Sequence, residues 1–168
     1  MTSQKGSEMR LLFDRMADDY DQLVNEADRD NRFPFAGYDE MMAMIAEYLL
    51  ADKSLDPVKV LDLGIGTGSL YRKLPPERLR LFGCDFSEKM LERTRLLHPA
   101  AKLELHDFSL GIPESFRSEK FDFIVATYAF HHLRTRELVG MIAHLLMFLE
   151  PLGKIIIGDV LFTDEAEP

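Results

Sequence analysis

The sequence predicts an α/β protein, a doubly wound, mostly parallel sheet with helices on both faces, and three observations carry this expectation. Val58, Val60, Leu61 and Leu63 form a short apolar run of the kind buried on both faces of a parallel sheet. The run closes on Asp62 and on glycines 64, 66 and 68, a turn that brings backbone close to a ligand at a strand's carboxyl end. Further strand signals follow over Leu79–Asp85 and over residues 121–128, with a helical stretch behind the first. With 168 residues, 46% of them hydrophobic and 29% charged, the chain has the size and composition of one ordinary globular domain.

Taken in order, residues 8–23 carry Met9, Leu12, Phe13, Met16 and Tyr20 at helical spacing, and residues 25–34 read as a charged loop. Tyr38, Met41, Met42, Ile45, Tyr48 and Leu49 define a second helix, whose methionines 41, 42 and 44 are expected in the core. After the first strand, residues 69–74 open a short helix that Pro75 and Pro76 stop. The second strand ends on Asp85, and Ser87 is the expected N-cap of a helix over Glu88–Leu97. Lys102 to Leu105 alternates as a third strand leading to a second acid, Asp107, and residues 121–128 give a fourth. No repeat, low-complexity tract or linker divides the chain.

The glycine loop discriminates among ligands. A dinucleotide fingerprint places its third glycine three residues after the second, where this chain has Ser69. A phosphate-cradling loop needs Gly-Lys-Ser/Thr, and Gly68 is followed by serine. The loop therefore suits an adenosine-like group without a polyphosphate.

Asp62-Leu-Gly64-Ile-Gly66-Thr-Gly68 resembles the first motif of the class I S-adenosylmethionine-dependent methyltransferases, and ordered downstream motifs extend the resemblance from about Val58 to Val160. Residues 149–157 resemble the family's turn and fifth strand, with Leu152 in place of the first glycine of the usual Pro-Gly-Gly. The resemblance implies that Asp85 accepts from the ribose hydroxyls and that Phe86 covers adenine. It implies that Asp107 accepts from the adenine amine, and it adds Phe108, Thr127 and Gly64, Gly66 and Gly68 to the cofactor site. Asp62 is expected both to shape the loop and to touch the methionine amino group. Tyr20, within Ala17-Asp18-Asp19-Tyr20-Asp21, resembles a tyrosine that reaches the methionine carboxylate, with plain packing as the alternative. Residues 1–57 are then N-terminal helices capping the cofactor site, and 58–168 the cofactor-binding core.

S-Adenosylmethionine carries an activated methyl group, so a general base is required only for an acceptor that is protonated at working pH. His131, His132 and Asp159 are the candidates for that role, the histidines standing also as structural residues. Adjacent residues on a strand point to opposite faces, so His131 and His132 are not expected to bind metal, and no metal site is expected. Cys84, the only cysteine, excludes an intrachain disulfide and a cysteine-rich zinc site.

A net charge of −9 argues against phosphate-driven binding of nucleic acid. Methyltransferases acting on nucleobase amines usually carry Asn/Asp-Pro-Pro-Tyr/Phe after the fourth strand, where this chain has Ala126-Thr127-Tyr128-Ala129-Phe130. The expected acceptor is a small molecule; a cofactor-binding protein without turnover is the alternative, and a nicotinamide-dependent dehydrogenase is disfavoured by Ser69. With no apolar run approaching about 20 residues, a cytoplasmic protein without membrane association is expected. The family sheet usually adds a sixth and a seventh strand. Their absence implies either a shortened form of a longer protein, the favoured expectation, or a five-stranded variant that self-associates through its exposed sheet edge.

Overall fold

The computed structural model describes residues 4–52 and 54–160, apart from the side chains of residues 4–9 and of His132. Five parallel strands, β1 (Val58–Leu63), β2 (Leu79–Asp85), β3 (Lys102–Leu105), β4 (Phe121–Thr127) and β5 (Leu149–Gly158), form one sheet in the order β3-β2-β1-β4-β5. Helices α1 (Gln4–Met16), α2 (Tyr20–Arg29) and α3 (Tyr38–Leu49) precede it, while α4 (Glu88–Leu97) and α5 (Thr135–Leu145) connect strands. This is the doubly wound α/β architecture expected.

The period-two geometry of strands divides the core between the two faces. Val58, Val60, Leu81, Phe123 and Val125 meet Met42, Ile45 and Leu49 of α3 and Leu91 of α4. Their neighbours Leu61, Leu63, Phe82, Cys84, Ile124 and Ala126 meet Met141 and Leu145 of α5 together with Phe108, Phe116 and Phe148. Both faces of the central strands are thus apolar, which explains the near-continuous hydrophobic runs. Strand order reverses between β1 and β4, and the carboxyl ends there open a crevice.

The single helix expected over residues 8–23 is two. Ala17, Asp18 and Asp19 interrupt it, with Asp19 N bonding Met16 O at 3.0 Å and Ala17 buried at the corner. Consecutive aspartates are poor helix-interior residues because their side chains compete for nearby backbone groups. The chain then remains helical through Arg29, where a loop over 25–34 was expected: Val24 is buried, Gln22 bonds Glu26 at 2.9 Å, and the charges occupy the solvated face. Asp28 ties α2 to α3, its Oδ1 accepting from Gly37 N at 2.8 Å and Tyr38 N at 3.1 Å and its Oδ2 from Asp39 N at 3.0 Å. In α3, Met42 is in the core as expected, whereas Met44 is exposed.

Ser87 caps α4 by accepting from Met90 N at 3.2 Å, and residues Ser69–Lys73 form a 3₁₀ turn. His131 belongs to a 3₁₀ turn, Phe130–His132, and not to a strand. Strand β5 is less buried than the central strands, and Leu152, at the altered glycine position, is 95% exposed. Among the described residues nothing pairs with its outer edge.

Candidate functional site

Asp62, the penultimate residue of β1, is only 1% exposed, its Oδ2 accepting from Tyr71 Oη at 2.8 Å and its Oδ1 lacking any partner among the described residues. Burial pushes its carboxyl up to about 7; the Tyr71 bond opposes the shift and nearby Asp85 adds to it. The chain then turns through Gly64, Gly66 and Gly68, all with φ between 56° and 80°, a region that strongly favours glycine. Gly64 N and Ile65 N both donate to Cys84 O, at 2.9 and 3.1 Å, which pins the loop across β2.

Asp85, at the end of β2, is 5% exposed. Its Oδ2 accepts from Gly66 N at 2.9 Å and its Oδ1 from Ser87 N at 2.8 Å. Burial pushes this carboxyl up to about 6, against the opposing backbone donors of Ser87, Gly66 and Phe86. Phe86 meets Phe13 of α1 edge to face at 5.4 Å.

On the far side of β1, Thr127 ends β4 and Tyr128 follows with φ 50°, an outlier for a bulky residue, its N donating to Gly158 O at 2.8 Å. Tyr38 from α3 hydrogen-bonds Ser69 Oγ at 2.7 Å, and burial pushes its phenol up to about 12. Burial likewise raises Tyr20, and Tyr38, Asp85 and Asp21 add to that shift.

These elements enclose a cavity of about 60 Å³. Of the residues singled out by sequence, Tyr20, Asp62, Gly64, Gly66, Asp85, Phe86, Phe108 and Thr127 line it. Gly68 does not; its carbonyl accepts from His98 Nε2 at 3.0 Å. Asp107 also lies outside the wall, its Oδ1 accepting from Ser109 N at 2.9 Å. His131 and Asp159 stand beyond the wall at the ends of β4 and β5. There Nδ1 lies 2.7 Å from Oδ1, and the His131 N–H donates to Oδ2 at 2.9 Å. Partial burial works against the Asp159 carboxylate, but the His131 contacts and the Val160 and His131 backbone donors outweigh it and lower its pKa. The side chain of His132 lies outside the described residues, and no metal-binding cluster occurs among those described.

Sequence reading missed the residues that hold the loop and its roof. Thr94 Oγ1 donates to Gly66 O at 2.6 Å, and with His98, the C-cap residue of α4, it fixes two loop carbonyls. Thr67 Oγ1 donates to Asp21 Oδ1 at 2.6 Å, Arg72 also pairs with Asp21, and Ser87 Oγ donates to Asp14 Oδ1 at 2.6 Å. The spacing of Thr94 and His98 on one helix face was the only available signal.

The site fits S-adenosylmethionine on its own geometry. A buried acceptor atom, Asp62 Oδ1, has no partner among the described residues, and a Cβ built on Gly66 meets none of them within 4 Å, so the loop leaves open space beside a buried carboxylate. The family model for the methyltransferase domain matches residues 60–153. The chain belongs to the class I S-adenosylmethionine-dependent methyltransferases and is an enzyme that uses this cofactor. It is 35% identical over 161 residues to the uncharacterized methyltransferase YrrT of Halobacillus halophilus, covering 96% of this chain and 71% of that relative. Among solved structures, the DhpI complex with SAM and HEP superposes with a TM-score of 0.67 at 20% identity, covering 99% of this chain and 71% of the other. SAM-bound CalS10, an amino pentose methyltransferase from Micromonospora echinaspora, gives 0.58 at 22% identity, covering 74% and 51%.

Proposed function

We propose that this methyltransferase acts on a small-molecule acceptor, and the observation that carries the reading is the roof of the site. Phe13, Tyr20 and Tyr38, from three N-terminal helices, line the same cavity as the glycine loop. A nucleobase or protein side chain still attached to its polymer needs an open approach, which a roof of three helices narrows. The net charge of −9 and the CalS10 likeness point the same way.

Bound S-adenosylmethionine supplies a methyl group activated on a sulfonium. In this reading Asp85 accepts from the ribose hydroxyls while Gly66 N and Ser87 N hold its carboxylate in place. Phe86 and Phe108 cover adenine, and Asp107, next to Phe108, accepts from its amine. Asp62 Oδ1 receives the methionine ammonium; Tyr20 and Thr127 bound the methionine end, and Gly64 and Gly68 shape the loop. His131 serves as base for an acceptor that must lose a proton. Asp159 accepts from its Nδ1–H and thereby leaves the basic lone pair at Nε2.

Orientation of an acceptor within such a site supplies roughly 7–11 kcal/mol of the barrier reduction. The test is a screen of S-adenosylhomocysteine formation over small amines, alcohols, thiols and carboxylic acids beside oligonucleotides and protein. Turnover with at least one small class is expected; turnover confined to the polymers would refute the reading.

A further inference from the structure

Resting on the reading above that Asp62 receives the methionine ammonium, we infer that Tyr71 is a positioning residue for the cofactor: its hydroxyl fixes the Asp62 carboxylate, keeps Oδ1 for the ammonium group, and so sets how strongly the amino-acid end is held. Tyr71 is 1% exposed, and its Oη donates to Asp62 Oδ2 at 2.8 Å. Asp62 lines the cavity and Tyr71 does not, so the hydroxyl reaches a ligand only through the carboxylate. With Oδ2 occupied by Tyr71, Oδ1 is the oxygen left for a ligand, and it has no partner among the described residues.

The turn after the glycine loop brings this hydroxyl back to β1. Gly68, with φ 72°, precedes the Ser69–Lys73 turn, and Tyr71 N donates to Gly68 O at 3.1 Å to close it. Leu70, Tyr71 and Leu74 are then buried in the same core as Val58 and Val60 of β1. His98 of α4 stands edge-on to the Tyr71 ring, with centroids 6.1 Å apart and planes at 88°, while its Nε2 lies 3.0 Å from Gly68 O. A ring held by the turn, the core and α4 delivers its oxygen to one place, and the carboxylate bonded to that oxygen keeps one orientation. Packing alone does not call for the hydroxyl, because phenylalanine fills nearly the same volume without burying a polar atom.

Charge indicates what Oδ1 is kept for. Asp62 and Asp85 are the only charged residues among the described residues lining the cavity, so no cation of the chain offsets Asp62 there. Asp85 is held by two backbone donors, Gly66 N and Ser87 N, whereas Tyr71 is the one donor recorded for the Asp62 side chain among the described residues. An ammonium group supplies the missing donor and the missing charge together. The Tyr71 bond also favours the ionised carboxylate against burial, and that is the form an ammonium requires. Without the hydroxyl, the carboxylate would be free to turn, and burial would favour its neutral acid.

The test compares two ligands by calorimetry on the whole chain. S-Adenosylhomocysteine carries the amino-acid end, and methylthioadenosine has the same adenosine and sulfur with a methyl group in its place. Tyr71→Phe is expected to weaken S-adenosylhomocysteine about tenfold, the order of one charge-assisted contact, and to change methylthioadenosine by less than about twofold. Asp62→Asn should shift the ratio of the two affinities in the same direction, and adding Tyr71→Phe to it should shift the ratio no further. Equal weakening of both ligands by Tyr71→Phe would show a hydroxyl that serves the fold alone, and unchanged affinity for both would show one without a part in binding. Either result overturns the inference and leaves the role of Asp62 standing. A ratio that Asp62→Asn leaves as in the parent would instead strike the reading of Asp62, and the inference with it. Tyr71→Met carries the same comparison if Tyr71→Phe does not fold.

Discussion

Asp62 and Asp85 are two acids one strand apart, both buried, and the bonds they make distinguish their roles. Asp85 spends both oxygens on backbone donors of the loop and of α4, so it is held in a fixed orientation with lone pairs still available. Asp85→Ala should weaken S-adenosylhomocysteine binding by roughly 1.5–3 kcal/mol, the usual worth of a charge-assisted acceptor. Calorimetry on the folded variant checks this, and unchanged affinity would remove Asp85 from the site. The glycines separate in the same way. A Cβ on Gly64 would stand 2.9 Å from Ala129 Cβ, whereas one on Gly66 meets open space. Gly64→Ala should therefore lower thermal stability through both φ and clash, while Gly66→Ala, strained only by φ, should fold but lose most cofactor affinity. Melting curves with and without S-adenosylhomocysteine tell the two apart.

At the scale of elements, the N-terminal helices are joined to the core by carboxylates. Asp14 reaches Ser87, Asp18 pairs with Arg93 at 2.7 Å, and Asp21 bonds Thr67 and Arg72. The Asp18 pair is largely exposed and should contribute little. Asp28 is different, because one carboxylate accepts from three N–H groups at the start of α3. Asp28→Ala should cost about 1–2 kcal/mol, the value of a lost N-cap. It should also free Tyr38 from the roof, so proteolysis between α2 and α3 should accelerate. A variant cleaved no faster than the parent would show that the roof is held by packing alone.

For the molecule as a whole, the two buried acids set a pH dependence of unusual sign. Burial raises Asp62 from its ordinary 3.8 to about 7 and Asp85 to about 6. Between pH 4 and 7 the folded state therefore holds protons that the unfolded state has released. Through these groups, stability is greatest at low pH and falls as pH rises. Asp62→Asn removes one of them, so at pH 8 the ligand-free variant should be more stable than the parent by roughly 1–3 kcal/mol, with the gap closing toward pH 5. Thermal melts across that range test the sign; a gap that widens on acidification would refute it. A second whole-molecule expectation concerns β5, whose outer edge carries exposed Leu152 and Ile157. Such an edge invites pairing, so light scattering should report a mass above that of one chain, and a monomer at high concentration would refute it.

The sequence by itself determined the sheet and the glycine loop. Near-continuous apolar runs suit strands buried on both faces, and three alternating glycines ending such a run specify a turn whose positive φ strongly favours glycine. Asp62 and Asp85 were legible because Asp85 ends β2 and Asp62 stands one residue before the end of β1. What the sequence left open was decided by packing. Whether residues 17–19 bend or continue a helix depends on Ala17 finding a buried corner, and whether residues 25–29 are helix depends on Val24 reaching the core. The roof contacts of Asp14, Asp21 and Asp28, the loop supports Thr94 and His98, and the mutual packing of Tyr20, Phe35, Tyr38 and Tyr128 link residues far apart in sequence. No local pattern encodes them, because each partner is polar or aromatic in a way equally suited to solvent, core or loop until the chain has folded.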